Sequence, residues 1–216
     1  MKAGDTIVVA TKNTGKVREF AHALSKLGVN VVSMFDYPDV PDIIEDGETF
    51  MENARKKART AAEALGLPAL ADDSGLEVAA LAGRPGIYSA RYSGPDATDE
   101  RNNAKLLSEL KQLTEGRQDE PERLPDGTAL LSDARFVCAL ALYDPETGTF
   151  TEAEGEVPGR IADRPRGSEG FGYDPLFWLP ELGKSMAELT KDVKQSIGHR
   201  GAALRALLER LDRETA

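Results

Sequence analysis

The sequence predicts an α/β protein. Its first third reads strand, helix, strand, and further on short apolar runs alternate with longer amphipathic stretches. Thr6 to Ala10 is a short β-branched run and predicts the first strand. A polar turn follows, then a stretch that sets Phe20, Ala23, Leu24 and Leu27 on one helical face. Gly28 is placed to stop that helix, and the run Val29 to Met34 completes a βαβ opening. Thr49 to Leu65 spaces Phe50, Ala54, Ala58, Ala61 and Leu65 for the buried face of a second helix. The apolar run Leu67 to Ala71 predicts a strand that closes on Asp72-Asp73, with Ser74-Gly75 as the turn after it. Thr98 begins a third helix, because Asp99 and Glu100 complement its positive end and Leu106, Leu107, Leu110 and Leu113 supply its apolar stripe. Residues Glu115 to Asp133 scatter Gly116, Pro121, Pro125 and Gly127 among charges and show neither period, which predicts a surface loop or insertion. Ala134 to Tyr143 is apolar at nearly every position and reads as a strand buried on both faces, with Phe150 to Val157 as its neighbour. The run Thr190 to Leu211 predicts two helices that break at Gly198, the second lined by Leu204, Leu207, Leu208 and Leu211.

Bulk properties narrow the function classes. The 216 residues, 40% hydrophobic and 30% charged, suit a single domain with a sizeable core. A formal charge of −10, from 37 acidic and 27 basic side chains, argues against non-specific adhesion to nucleic acid or to an anionic membrane. The single cysteine, Cys138, lies in an apolar run, so no intramolecular disulfide forms and a reducing compartment fits best. With no apolar stretch near the ~18 residues of a membrane span and no signal-peptide pattern, the expected location is the cytoplasm.

Five places in the chain carry chemistry. Asp72 and Asp73 are adjacent carboxylates at the predicted end of a buried strand, where two like charges do not both ionise cheaply and a cation is called for. Ser74 follows, and Arg91 lies in the Gly- and Pro-punctuated loop beyond; taken alone, the four residues read more readily as a solvated turn between two strands. The turn Thr11-Lys12-Asn13-Thr14-Gly15-Lys16 joins a strand to a helix, so backbone amides, the positive helix end and the Lys16 charge form an anion site. It lacks the glycine spacing and the Gly-Lys-Ser/Thr ending of a Walker A loop. Around Glu45-Asp46-Gly47-Glu48 an acidic turn precedes the second helix, in which Glu52, Asn53 and Lys57 fall on nearby turns; a solvated charged face is the alternative. Gly170-Phe171-Gly172-Tyr173-Asp174 permits backbone approach to a flat ligand while Phe171 or Tyr173 stacks on it, or else is a loop that packs on the core. Lys194 precedes the Gly198 break, and His199 and Arg200 begin the last helix, where cations oppose the dipole and an acceptor would compensate. His22 reads as structural or surface.

Taken together and in this order, these motifs resemble the inosine/xanthosine triphosphate pyrophosphatase family over nearly the whole chain. The matching stretches are Thr11 to Lys16, Gly47 to Ala54, Asp72 to Gly75, Gly170 to Pro175 and His199-Arg200. The resemblance implies an elongated mixed sheet with flanking helices, two lobes around a central cleft, and a homodimer. It implies hydrolysis of deaminated purine triphosphates (ITP, dITP, XTP) to the monophosphate and pyrophosphate, with Mg2+. By matched position, Asp73 is the proton acceptor and a metal ligand, and Ser74 contacts substrate. The loop Thr11, Lys12, Asn13, Thr14, Gly15, Lys16 holds phosphates with Lys57. Phe171, Gly172, Tyr173 and Asp174 embrace base and sugar, and Lys194, His199 and Arg200 complete the pocket.

The chain departs from the family pattern at Gly198, where Ser is common, and at Ile44-Glu45, where two glutamates often stand; Glu45 is the remaining metal candidate. Two other functions are open at this point: a pyrophosphatase for modified pyrimidine nucleotides, and a catalytically silent nucleotide-binding module. Asp73, as a water-activating carboxylate, argues against the silent module.

Overall fold

The structure, a computed structural model, describes residues 4–11, 14–25, 28–37, 41, 43–114 and 120–215. Its eight strands form one mixed sheet in the order β2-β1-β3-β5-β6-β7-β8, with β4 paired to β5. The βαβ opening is present: β1 (Thr6–Val9) pairs in parallel with β2 (Asn30–Ser33) and β3 (Ala69–Val78), and α1 (Thr14–Leu24) lies between β1 and β2 in the chain. Phe20 and Leu24 of α1 are fully buried, each burial of this kind contributing about 1.5–3 kcal/mol. His22 is exposed, and Leu27 and residues 12, 13 and 115–119 lie outside the described residues.

The helix α2 (Phe50–Leu65) starts where the sequence predicts. Thr49 is its N-cap in extended conformation and accepts from the Glu52 N–H at 3.1 Å, and Gly66 ends it by donating to the Ala62 carbonyl at 2.8 Å. The buried face of α2 carries Phe50, Ala54, Ala58 and Ala61, and also Asn53 and Lys57. Two polar side chains on an alanine-lined stripe need partners, since burying them unpaired is costly.

Two compact units divide the chain: residues 1–73, 138–155 and 202–216 form one, residues 74–137 and 156–201 the other. The first unit's core contains Ile7, Phe20, Leu24 and Leu70, with Cys138 and Leu140 of β5 (Ala129–Asp144) and Ala203 and Leu207 of α5 (His199–Thr215). The second unit's core joins Leu76 and Val78 of β3 to Leu106 and Leu110 of α3 (Asp99–Thr114), with Phe136, Ile161 of β6 (Thr149–Ala162), Tyr173 and Phe177. In that unit β6 pairs antiparallel with β7 (Phe177–Leu179), and β7 with β8 (Lys184–Ser185). The C-terminal run breaks at Gly198 into α4 (Lys191–Ile197) and α5, as the sequence predicts. Among the described residues no helix is long and apolar enough to cross a membrane.

Three expectations are corrected. First, Asp72-Asp73-Ser74-Gly75 is not a turn after a strand, because β3 runs through it from Ala69 to Val78. Lysines neutralise the two carboxylates, so the ladder need not end at them. Second, the stretch predicted as an irregular loop contains a hairpin: β4 (Glu122–Arg123) pairs antiparallel with Leu130 and Ala129, and β5 begins at Ala129 rather than Ala134. Ser132 and Asp133 hid the strand's start, although Ser132 is buried and donates to the Asp133 carbonyl. Third, Leu113 is 43% exposed, because the α3 stripe that reaches the core ends at Leu110.

Candidate active site

Strand alternation sends Asp72 and Asp73 to opposite faces, so each finds its own cation. Lys16 Nζ, from the first turn of α1, lies 2.6 Å from Asp72 Oδ2, whose side chain is 1% exposed. On the other face, α2 supplies Lys57, with Nζ 3.1 Å from Asp73 Oδ1. Asn53, one turn earlier on the same helix, donates Nδ2 to Asp73 Oδ2 at 3.1 Å. Its Oδ1 accepts from the Gly47 N–H at 2.8 Å and so ties the acidic turn to the helix. Lys57 Nζ also lies 3.1 Å from Glu45 Oε1, which brings both metal candidates, Asp73 and Glu45, onto one ammonium.

This arrangement sets the proton affinities of the group. Burial pushes the Asp73 carboxyl above the usual carboxylate range and Glu45 adds to the rise, while Lys57 and Asn53 pull it back. Burial alone would lower the Lys57 ammonium, but Asp73, Asp72 and Glu45 outweigh it and hold Lys57 above its ordinary value. The result is a lysine whose charged form is favoured, beside a carboxylate that takes up a proton more readily than a solvated one.

Of the phosphate-loop residues, Thr11 follows β1, Thr14 and Gly15 open α1, and the first turn of α1 holds no acidic side chain, which leaves its positive end for an anion. Lys12 and Asn13 lie outside the described residues.

The second unit holds the other candidates. Arg200, second residue of α5, points Nη2 at Ser74 Oγ at 3.5 Å. His199 stacks on Phe136 with ring centroids 5.0 Å apart. Lys194 Nζ lies 2.8 Å from Asp174 Oδ2 and donates to the Glu169 carbonyl at 3.1 Å. Gly170 is needed for that pair, since a Cβ there would stand 2.1 Å from Asp174 Oδ2 and 2.3 Å from Lys194 Nζ. Burial raises the Asp174 carboxyl, and Lys194 opposes the rise. The two aromatics of the loop separate sharply. Tyr173 is buried in the core with its hydroxyl donating to the Ser89 carbonyl at 2.8 Å, whereas Phe171 is 60% exposed. Of the two aromatics, Phe171 is therefore the one whose ring stands clear of the core. Arg91, singled out in the sequence, lies over the exposed Tyr88 ring at 5.0 Å.

Among the described residues no three His, Cys, Asp or Glu side chains gather as a metal cage. A magnesium ion does not need one, because it is commonly held by one or two carboxylates together with substrate phosphates and water. Asp73 and Glu45, hard oxygen donors converging on one cation, fit that pattern. Sequence reasoning noticed Asn53 beside Lys57 but did not place it in the site. The signal was present, since Asn53 falls on the same face as Ala54, Lys57 and Ala61. Asp99 and Asn103, whose side chains reach the aromatic loop at Gly172, were missed as well.

Comparison with known proteins is consistent throughout. A sequence model described as the Ham1 family matches residues 7–210. The dITP/XTP pyrophosphatase of Geobacter sulfurreducens is 50% identical over 205 residues, covering 95% of this chain and 96% of that protein. That of Geobacillus kaustophilus is 52% identical over 204 residues, covering 94% and 92%. A HAM1 protein from Coxiella burnetii superposes with a TM-score of 0.85 at 40% identity, covering 97% of this chain and 99% of that one. A family match across nearly the whole chain, with close relatives of the same length and fold, leaves no ambiguity: the chain belongs to the Ham1 family.

Proposed function

We infer that this protein hydrolyses deaminated purine nucleoside triphosphates (ITP, dITP and XTP) to the monophosphate and pyrophosphate, and so clears them from the nucleotide pool of the cytoplasm. The observation that carries this is the buried Asp73 carboxylate, held by Lys57 on one oxygen and Asn53 on the other. A nucleotide carrier has no use for such a base. Relatives named dITP/XTP pyrophosphatase at about half identity supply the substrate class.

The chemistry follows from these groups. Asp73 accepts a proton from water, the resulting hydroxide oxygen bonds to the α-phosphorus, and the bond from that phosphorus to the α,β-bridging oxygen breaks, releasing pyrophosphate. The raised proton affinity of Asp73 makes it a stronger base than a solvated carboxylate. Lys57 and Lys16, with the positive end of α1, spread the charge that develops on the phosphate oxygens. Asp73 and Glu45 would hold Mg2+, which supplies further neutralisation of the phosphates. Asp73 and Ser74 are consecutive on β3, so the base is followed directly by a hydroxyl that meets Arg200. Arg200 only donates hydrogen bonds, which suits the O6 acceptor of hypoxanthine and xanthine and leaves the amino group of adenine repelled.

The deciding experiment is a panel of triphosphates assayed for pyrophosphate release with and without magnesium. Release from ITP and XTP well ahead of ATP, abolished by chelation, is expected. A preference for dUTP or a modified pyrimidine would overturn the substrate class, and binding of ITP without turnover would favour the silent module. The family resemblance also carries a homodimer, which light scattering of the purified protein tests.

A further inference from the structure

The loop that presents Phe171 makes a turn of its own, the Asp174 N–H donating to the Phe171 carbonyl at 3.3 Å, and its backbone is also held on both polar groups of a single residue. Asp99 Oδ2 accepts from the Gly172 N–H at 2.6 Å, and Asn103 Nδ2 donates to the Gly172 carbonyl at 2.9 Å. The two side chains are four apart on α3 and therefore share one face of its N-terminal turns. Gly172 sits at φ +61°, the left-handed region that glycine enters without strain, which turns the peptide so that both groups face the helix. Between these two residues, Asn102 does the same for a neighbouring segment, donating to the Ser89 and Ala90 carbonyls and accepting from the Ser93 N–H. Tyr173 brings its hydroxyl to the same Ser89 carbonyl.

We propose that Asp99 and Asn103 are positioning residues of the base-recognition loop: by clamping Gly172 on α3 they fix the direction in which Phe171 leaves the surface. Phe171 is 60% exposed, so its own packing does not hold it. Its backbone does, through Gly172 on one side and the Phe171 N–H to Asp174 contact of 3.4 Å on the other. Asn103 serves here as a donor, since its Oδ1 is buried with no hydrogen-bond partner among the described residues. An aspartate there would set an oxygen against the Gly172 carbonyl. The inference rests on the proposed recognition of a purine by this loop.

The test has two arms. In steady-state hydrolysis of ITP, Asp99→Ala and Asn103→Ala should each raise KM by about tenfold, the factor worth ~1.4 kcal/mol, with kcat changed little. Asp99→Asn, which keeps an acceptor oxygen, should restore the wild-type KM. Asn103→Asp should be as impaired as Asn103→Ala. In the second arm, hydrogen–deuterium exchange over residues 170–174 without nucleotide should quicken in both alanine variants and return to wild type in Asp99→Asn. Unchanged KM in both alanine variants, a loss in kcat alone, or exchange no faster than wild type would overturn the proposal. Should wild type hydrolyse no deaminated purine triphosphate, the functional reading fails while the exchange arm still decides whether the clamp exists.

Discussion

The two units hold their candidate residues by different means. In the first, charged side chains meet in the protein interior: Lys16 with Asp72, and Lys57 with Asp73 and Glu45. In the second, the aromatic loop is held mostly through its backbone, at Gly172 by α3 and at Phe171 by Asp174, with Phe171 left in solvent. The difference suits the two tasks proposed for these residues. Moving a proton requires a carboxylate whose affinity is set by buried neighbours, whereas receiving a base requires a direction fixed in advance and a free aromatic face. Substitutions in the first unit should therefore act on turnover and its pH dependence, and those in the second on affinity and selectivity.

The largest effect is expected at Asp73. Asp73→Asn keeps the shape and the Asn53 and Lys57 neighbours but removes the base, so kcat for ITP should fall by ~10²–10⁴-fold while ITP binding by calorimetry is largely retained. Turnover equal to wild type would remove Asp73 from the chemistry and with it the contrast between the units. Lys57→Met comes next. It strands buried carboxylates and should lower unfolding free energy by about 3–5 kcal/mol in denaturant titration. It should also move the acid limb of the kcat/KM profile to higher pH. The sign follows from the cluster: burial already raises Asp73, Lys57 opposes that rise, and its removal lets the carboxyl climb further, so the active deprotonated form appears later as pH increases. Stability linked to Asp73 runs the same way. With its folded-state affinity raised, its contribution is full below the ordinary value of 3.8 and is lost as pH rises through the raised one.

How much of this was legible beforehand depended on whether a signal was periodic or contextual. The βαβ opening, the capped α2 and the break at Gly198 were readable because helix caps and apolar spacing are local. The path of β3 through Asp72 to Gly75 was not, because four polar or small residues look like a turn until Lys16, Lys57 and Asn53 arrive from far along the chain. Charge pairing between elements overrode local turn preference. Tyr173 taught the converse: within one loop motif the sequence offered two equivalent aromatics, and only the carbonyl of Ser89 distinguishes the one that anchors from the one that is presented. The hairpin at Glu122 to Ala129 was obscured by prolines and charges, although Gly127 donating to the Leu124 carbonyl makes an ordinary tight turn there.

A smaller effect, and one confined to selectivity, is expected at Arg200. Arg200→Ala should narrow the ratio of kcat/KM for ITP over ATP by roughly 10–100-fold, the range of one hydrogen bond from a charged donor, with kcat for ITP changed less than by Asp73→Asn. An unaltered ratio would show that discrimination at O6 lies with another group, and would blur the division between a unit for chemistry and a unit for recognition.

Gly198 should give the smallest effect and the finest test. The family pattern favours Ser at this position, and a helix N-cap before His199 and Arg200 would ordinarily gain from one. Here the same residue also closes α4 by donating to the Lys194 carbonyl at 2.8 Å. A Cβ at position 198 would stand 2.5 Å from that carbonyl oxygen, so any side chain must displace the end of α4, the helix that carries the lysine paired with Asp174. Gly198→Ala should therefore lower stability by about 1–3 kcal/mol in thermal or denaturant unfolding, as overpacking does, and should raise KM for ITP more than it lowers kcat. Gly198→Ser should recover part of the stability through capping but not the KM, because the cap and the clash act on different helices. Full recovery of both by serine would show that the α4 end yields freely, and that Lys194 does not need this glycine to reach Asp174.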